Sequence, residues 1–170
     1  HVENGDVEQG FAASDVIVEG TYKLPRQMHA FMEPEQGVGV PGPGGEVTVY
    51  CGAQHPYRDQ MQISRALGIK PSKIRVVTSP TGGAFGGKDE ITLQILLAMG
   101  ALAAHRPVQI VLSREESTVA GWKRHPMTIY MKTGARCDGT LLAHEVRLVS
   151  DTGAYASLGG PVTNLALEGC

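Results

Sequence analysis

Four glycines fall within six positions, at 82, 83, 86 and 87, in the segment Gly82–Glu90 that reads GGAFGGKDE. Glycine lets a backbone approach a ligand closely, and successive N–H groups can then converge on one acceptor as an anion nest. Gly82 to Lys88 also fits the Gly-x-x-x-x-Gly-Lys spacing of a phosphate loop. That loop needs a hydroxyl for magnesium at its next position. Asp89 stands there instead, and its carboxylate repels phosphate. A nucleotide-binding module built on Gly82–Lys88 is therefore one alternative, and a glycine-rich turn without a ligand is another. His29 and Glu33 are four residues apart, with His55 and His125 further on. No His-Glu-x-x-His pattern turns them into a metal site, and a structural role is the simpler reading. Lys123-Arg124-His125 reads as a surface turn.

The elements around the loop follow from local chemistry. Val16–Tyr22 is rich in β-branched residues and reads as a strand. Gly37–Val40 and Glu46–Cys51 flank Pro-Gly-Pro-Gly-Gly, two strands joined by a turn. Pro56 suits a first helical turn and Gly68 a C-terminal cap, so a helix is expected over His55–Leu67. Ile74–Thr78 is a strand that runs into the glycine loop. The nearly all-apolar run Ile91–Ala104 predicts a buried helix, whose first turn would add free N–H groups to the loop. Pro107–Leu112 is a strand, and Ser113-Arg-Glu-Glu116 has the spacing of a capping box. Thr128–Thr133 and Leu141–Ser150 are strands around the hairpin signal Asp138-Gly139. The expected class is α+β: mixed or antiparallel sheets with two main helices packed on them.

Composition narrows the function classes. The chain has 170 residues, enough for one domain or two small lobes. With 15 basic and 17 acidic residues, nothing electrostatic points to nucleic acid or an anionic membrane. No stretch approaches the roughly 20 apolar residues of a membrane span. Cys51, Cys137 and Cys170 are far apart and form no Cys-x-x-Cys pair, which speaks against a zinc ribbon or an iron–sulfur cluster on this chain. A reduced, cytoplasmic protein is the simplest reading. The start at His1 without a methionine and the stop at Cys170 read as a fragment, residues 1–170 of a larger polypeptide.

GGAFGGKDE resembles the Gly-Gly-x-Phe-Gly-Gly-Lys-Glu loop of the molybdenum hydroxylases, the xanthine dehydrogenase and aldehyde oxidase family. His29-Ala-Phe-Met-Glu-Pro34 resembles that family's His-x-x-x-Glu segment. Ala53-Gln54-His55-Pro56 sits where the family has a Thr-Gln or Ser-Gln pair before a helix. Leu67-Gly68-Ile69, Ile74-Arg75-Val76, Arg106-Pro107-Val108, Ser113–Glu116 and Arg124-His125-Pro126 continue the match in the family's order. The resemblance covers nearly the whole chain.

The resemblance implies the molybdopterin-binding region of a large subunit that oxidises a purine, another N-heterocycle or an aldehyde, with water as oxygen donor. The cofactor is molybdenum–molybdopterin, alone or as a dinucleotide. Iron–sulfur and FAD groups belong to other domains or subunits, which with the rest of the large subunit would be the partners. Gln54 would hydrogen-bond an oxo or sulfido ligand of the metal, a role suited to a neutral amide donor. Phe85 and Gly86 would lie beside molybdenum, offering backbone N–H groups and a ring that shapes the pocket. Asp89 takes the place of a purine-orienting glutamate and is one methylene shorter, so Glu90 is the alternative substrate carboxylate. Gly82, Gly83 and Gly87 shape the backbone. The catalytic base lies far downstream in the family, so no catalytic residue is assigned here and the fragment alone is expected to be inactive. Plain readings stand beside these: Gln54 satisfying local backbone, Phe85 filling a core, Asp89 and Glu90 steadying the following helix.

Overall fold

The computed structural model describes residues 3–153 and 156–168. In chain order its elements are α1 (Val7–Ala12), β1 (Val16–Leu24), β2 (Gln27–Met28), β3 (Gln36–Pro41), β4 (Val47–Cys51), α2 (Pro56–Leu67), β5 (Ile74–Thr78), α3 (Gln94–Ala104), β6 (Val108–Val111), α4 (Arg114–Ala120), β7 (Lys123–Arg124), β8 (Met127–Ala135), β9 (Leu141–Ser150) and α5 (Gly159–Glu168). They form two compact units, residues 28–124 and residues 1–27 with 125–170.

The unit spanning 28–124 is built on a four-stranded mixed sheet of order β5-β4-β3-β6. The turn through Pro43–Gly45 reverses the chain from β3 into antiparallel β4, with Gly44 and Gly45 at positive φ where a side chain would strain. Strand β5 is parallel to β4, and α2 makes the crossover between them. Pro56 opens α2 and Gly68 closes it in the left-handed conformation, as the sequence predicts. Helix α3 lies on β3, β4 and β6, burying Leu97, Ala98 and Ala101 against Val47, Val49 and Cys51. The approach is close because β3 carries glycine where it meets α3. A Cβ on Gly39 would stand 2.2 Å from the Leu97 carbonyl oxygen, and one on Gly37 would stand 2.6 Å from Leu97 Cδ1 and 2.7 Å from the Tyr50 carbonyl oxygen.

The unit of residues 1–27 and 125–170 is a three-stranded antiparallel sheet of order β1-β8-β9, with α1 against β9 and β8. Asp6 caps α1 by accepting from Gln9 N–H. Asp138-Gly139 makes the expected turn between β8 and β9, Gly139 taking positive φ. The expected α+β class holds, with α2 and α3 as the helices packed on the mixed sheet. Helices α1, α4 and α5 add to them, α4 carrying both halves of the Ser113–Glu116 capping box.

One boundary is corrected. The helix expected over Ile91–Ala104 begins at Gln94. Trp122 Nε1 donates to the Ile91 carbonyl, and Thr92 N–H is taken by Gln94 Oε1 at 2.7 Å. Those bonds hold Ile91 and Thr92 in a turn, so the glycine loop does not run directly into a helical first turn.

Candidate functional site

The loop that leaves β5 is fastened from below by one carboxylate. Glu33 Oε2 accepts from Gly82 N–H at 2.5 Å and from Lys88 Nζ at 3.1 Å, while Oε1 accepts from Gln36 Nε2 at 2.7 Å. Burial works to raise the Glu33 pKa, but these donors together hold it below the ordinary carboxylate value. Lys88 is only 4 % exposed, and its ammonium also lies 4.7 Å over the Phe31 ring. Gly87 is pressed onto the same support: a Cβ there would meet Phe31 at 2.7 Å and His29 Nδ1 at 2.8 Å. Burial, with the nearby charges of Lys123 and Arg124, keeps His29 below its usual pKa against a backbone hydrogen bond at Trp122.

The outer face of the loop is different. Phe85 sits at φ 51° and Gly86 at φ 87°, two successive left-handed residues. Such a conformation in a non-glycine residue costs energy and marks a built feature. Phe85 is 75 % exposed, so it does not fill a core. The N–H groups of Phe85 and Gly86 donate to no acceptor among the described residues, because the turn uses Gly87 N–H to Ala84 O and Asp89 N–H to Gly86 O. Gln54 joins this face through its backbone: Gln54 N–H donates to the Lys88 carbonyl at 3.3 Å. Its side chain is exposed and caps nothing, so it does not serve the local backbone. Gln54 is thereby tied to the loop that carries Phe85 and Gly86. Their donors are all neutral amide N–H groups, the set that suits a ligand rich in oxygen or sulfur acceptors.

Asp89 and Glu90 point elsewhere than the plain reading predicts. They precede α3 by several residues, and its first turn holds no acidic residue. Asp89 is 6 % exposed, with His55 Nε2 at 2.6 Å from Oδ1 and Arg58 Nη1 at 3.6 Å from Oδ2. Glu90 pairs with Arg58 Nη2. Beneath this pair, Gln94 Nε2 donates to Asp59 Oδ2 at 3.1 Å. Burial pushes Asp59 up to about 6, opposed first by that hydrogen bond and then by the Arg58 charge. Burial, and then the Asp59 charge, push the neighbouring Cys51 thiol up to about 12, so Cys51 is not a nucleophile near neutral pH.

The sequence gives His55 a structural role and singles out none of Arg58, Asp59 and Gln94. A signal existed: Gln94 is a polar residue inside an otherwise apolar run, and Asp59 lies on the apolar side of α2 with Ile63. The phosphate-loop alternative fails on geometry. Its lysine must reach outward to phosphate, whereas Lys88 is folded inward onto Glu33 and Phe31. The described residues contain no cluster of three or more His, Cys, Asp or Glu side chains placed to hold a metal ion. Cys51 and Cys137 are free thiols, and Cys170 lies outside the described residues.

Comparison with known proteins gives a consistent answer. The family of the molybdopterin cofactor-binding domain matches residues 1–170. A probable xanthine dehydrogenase subunit of Bacillus subtilis is 54 % identical over 97 % of this chain and 22 % of its own length. The nicotinate dehydrogenase large molybdopterin subunit of Eubacterium barkeri is 42 % identical over 100 % of this chain and 40 % of its own length. The solved aldehyde oxidoreductase of Desulfovibrio gigas superposes with a TM-score of 0.80 at 31 % identity, over 94 % of this chain and 18 % of that one. The chain therefore spans well under half the length of these relatives.

Proposed function

The chain belongs to the molybdopterin cofactor-binding domain family, and from that premise we propose that it forms one wall of the molybdenum site in a larger hydroxylase. The proposed reaction is oxidation of a purine, another N-heterocycle or an aldehyde, with water as oxygen donor. One observation carries this reading. The Gln54–Lys88 backbone bond ties Gln54, whose side-chain amide is uncommitted, to the loop that carries the uncommitted N–H groups of Phe85 and Gly86.

When bound, the molybdenum–pterin group would supply the two-electron oxidation of the substrate carbon. This chain's residues orient that group. Gln54 donates from its side-chain amide and adds no charge. Phe85 and Gly86 donate from the backbone, already set in place by their left-handed conformation. The exposed Phe85 ring forms an apolar wall for a flat substrate. Asp89 and Glu90 form the substrate side, with Arg58 balancing their charge. We assign no catalytic base to residues 1–170. The base, the iron–sulfur and flavin groups, and the domains or subunits that carry them lie outside this stretch in the proposal. No helix among the described residues is long and apolar enough to cross a membrane. A cytoplasmic enzyme fits this reading.

The test is metal analysis by mass spectrometry joined to turnover in 18O-labelled water. The whole enzyme is expected to hold stoichiometric molybdenum and to place the label in its product. Residues 1–170 expressed alone are expected to hold none. An active enzyme free of molybdenum would sink the reading.

A further inference from the structure

We propose that His55 is a specificity-determining residue that accepts a hydrogen bond from a substrate N–H. The inference rests on the reading above. His55 directly follows Gln54, and the Gln54–Lys88 bond fixes this lip to the glycine loop. His55 Nε2 lies 2.6 Å from Asp89 Oδ1. A carboxylate only accepts, so Nε2 carries the proton. This fixes the tautomer and leaves the Nδ1 lone pair for another donor.

The helix itself does not use that lone pair. His55 is the N-cap of α2, where a side-chain acceptor commonly satisfies a first-turn N–H, yet it makes no capping hydrogen bond. Exposure then sorts the groups. The His55 side chain is 49 % exposed, whereas that of Asp89 is 8 % exposed. Asp89 and Glu90 are also engaged by Arg58. Cations therefore hold both loop carboxylates, and the group offered outward next to Gln54 is the His55 imidazole. An acceptor at Nδ1 recognises a lactam or ring N–H on a heterocycle. It gives nothing to an aldehyde that lacks such a donor.

The experiment uses the whole molybdenum-loaded enzyme and three probes: a lactam heterocycle that it turns over, its N-methyl counterpart and a simple aldehyde. For His55→Ala the KM and the calorimetric Kd for the lactam are expected to rise about tenfold, the net worth of one hydrogen bond. The lactam kcat and all aldehyde parameters should stay within about twofold. His55→Gln, which keeps an acceptor, should recover most of the affinity. In the unmodified enzyme the N-methyl compound should bind as weakly as the lactam binds to His55→Ala, a comparison that needs no variant to fold. Equal effects on lactam and aldehyde, with molybdenum retained, would overturn the role of His55 and leave the molybdenum reading standing. An enzyme active on these probes without molybdenum would overturn both.

Discussion

Gln94 Nε2 donates to Asp59 Oδ2 across 3.1 Å in the buried seam where α2 meets α3. Among the described residues this is the hydrogen bond that serves a carboxyl only 1 % exposed. Burial moves its pKa from 3.8 up to about 6. Between those values the folded protein keeps a proton that the unfolded chain has released, so stability falls as pH rises through that window. Asp59→Asn removes this dependence and keeps an acceptor for Gln94. Its stability relative to the parent should climb between pH 4 and 6.5, by on the order of 2 kcal/mol, and then level off. Urea titrations of both proteins across that range check it, and a pH-independent difference would refute it.

Gly86 and Gly87 should respond to alanine for different reasons. At Gly87 the new methyl collides with Phe31 and His29, so Gly87→Ala should cost about 1–3 kcal/mol in a denaturant melt. At Gly86 nothing lies nearer than His29 Nε2 at 3.8 Å, and only the positive φ opposes the change. Gly86→Ala should cost about 1 kcal/mol and disturb activity more than stability. If both variants lose equal stability, the loop is not packed as described.

Gln54→Ala in the whole enzyme should lower kcat about 10- to 100-fold while molybdenum content stays unchanged. Steady-state kinetics with metal analysis decide this, and a near-normal kcat would remove Gln54 from the site.

Lys88 gives two expected outcomes. Titrating magnesium ATP by calorimetry should give no heat of binding, because the ammonium is committed to Glu33. Lys88→Met strips Glu33 of its counter-charge and should destabilise the protein by about 1–3 kcal/mol near neutral pH. Because Glu33 has a lowered pKa when folded, its contribution is present above the ordinary value of 4.5 and is lost as pH falls through the folded pKa. The destabilisation by Lys88→Met should therefore shrink in acid. A constant difference down to pH 3 would count against the pair.

Much of the fold was legible because it is written locally. Pro56 and Gly68 bracket α2, Ser113 and Glu116 build the capping box, and Asp138-Gly139 turns β8 into β9. Short α1 has too few residues to show a period and could not be read that way. The start of α3 was misplaced because Trp122, far along the chain, takes the Ile91 carbonyl. Only resemblance singles out Phe85 and Gln54, which are ordinary residues until their neighbours are known. The network of His55, Arg58, Asp89 and Glu90 was not legible, because it depends on how α2 is brought against the loop. No spacing rule encodes a contact between residues 55 and 89.

The alternate glycines of β3 carry a consequence for how this protein can vary. At position 37 a smaller residue on α3 would remove one obstacle, the Leu97 side-chain carbon, but the Tyr50 carbonyl oxygen would stay in the way. At position 39 the obstacle is the Leu97 carbonyl oxygen, which every residue type at 97 would retain. Both sites are therefore blocked by atoms that no exchange of side chains can remove. Anything but glycine there would require the backbone of β4 or α3 to be displaced.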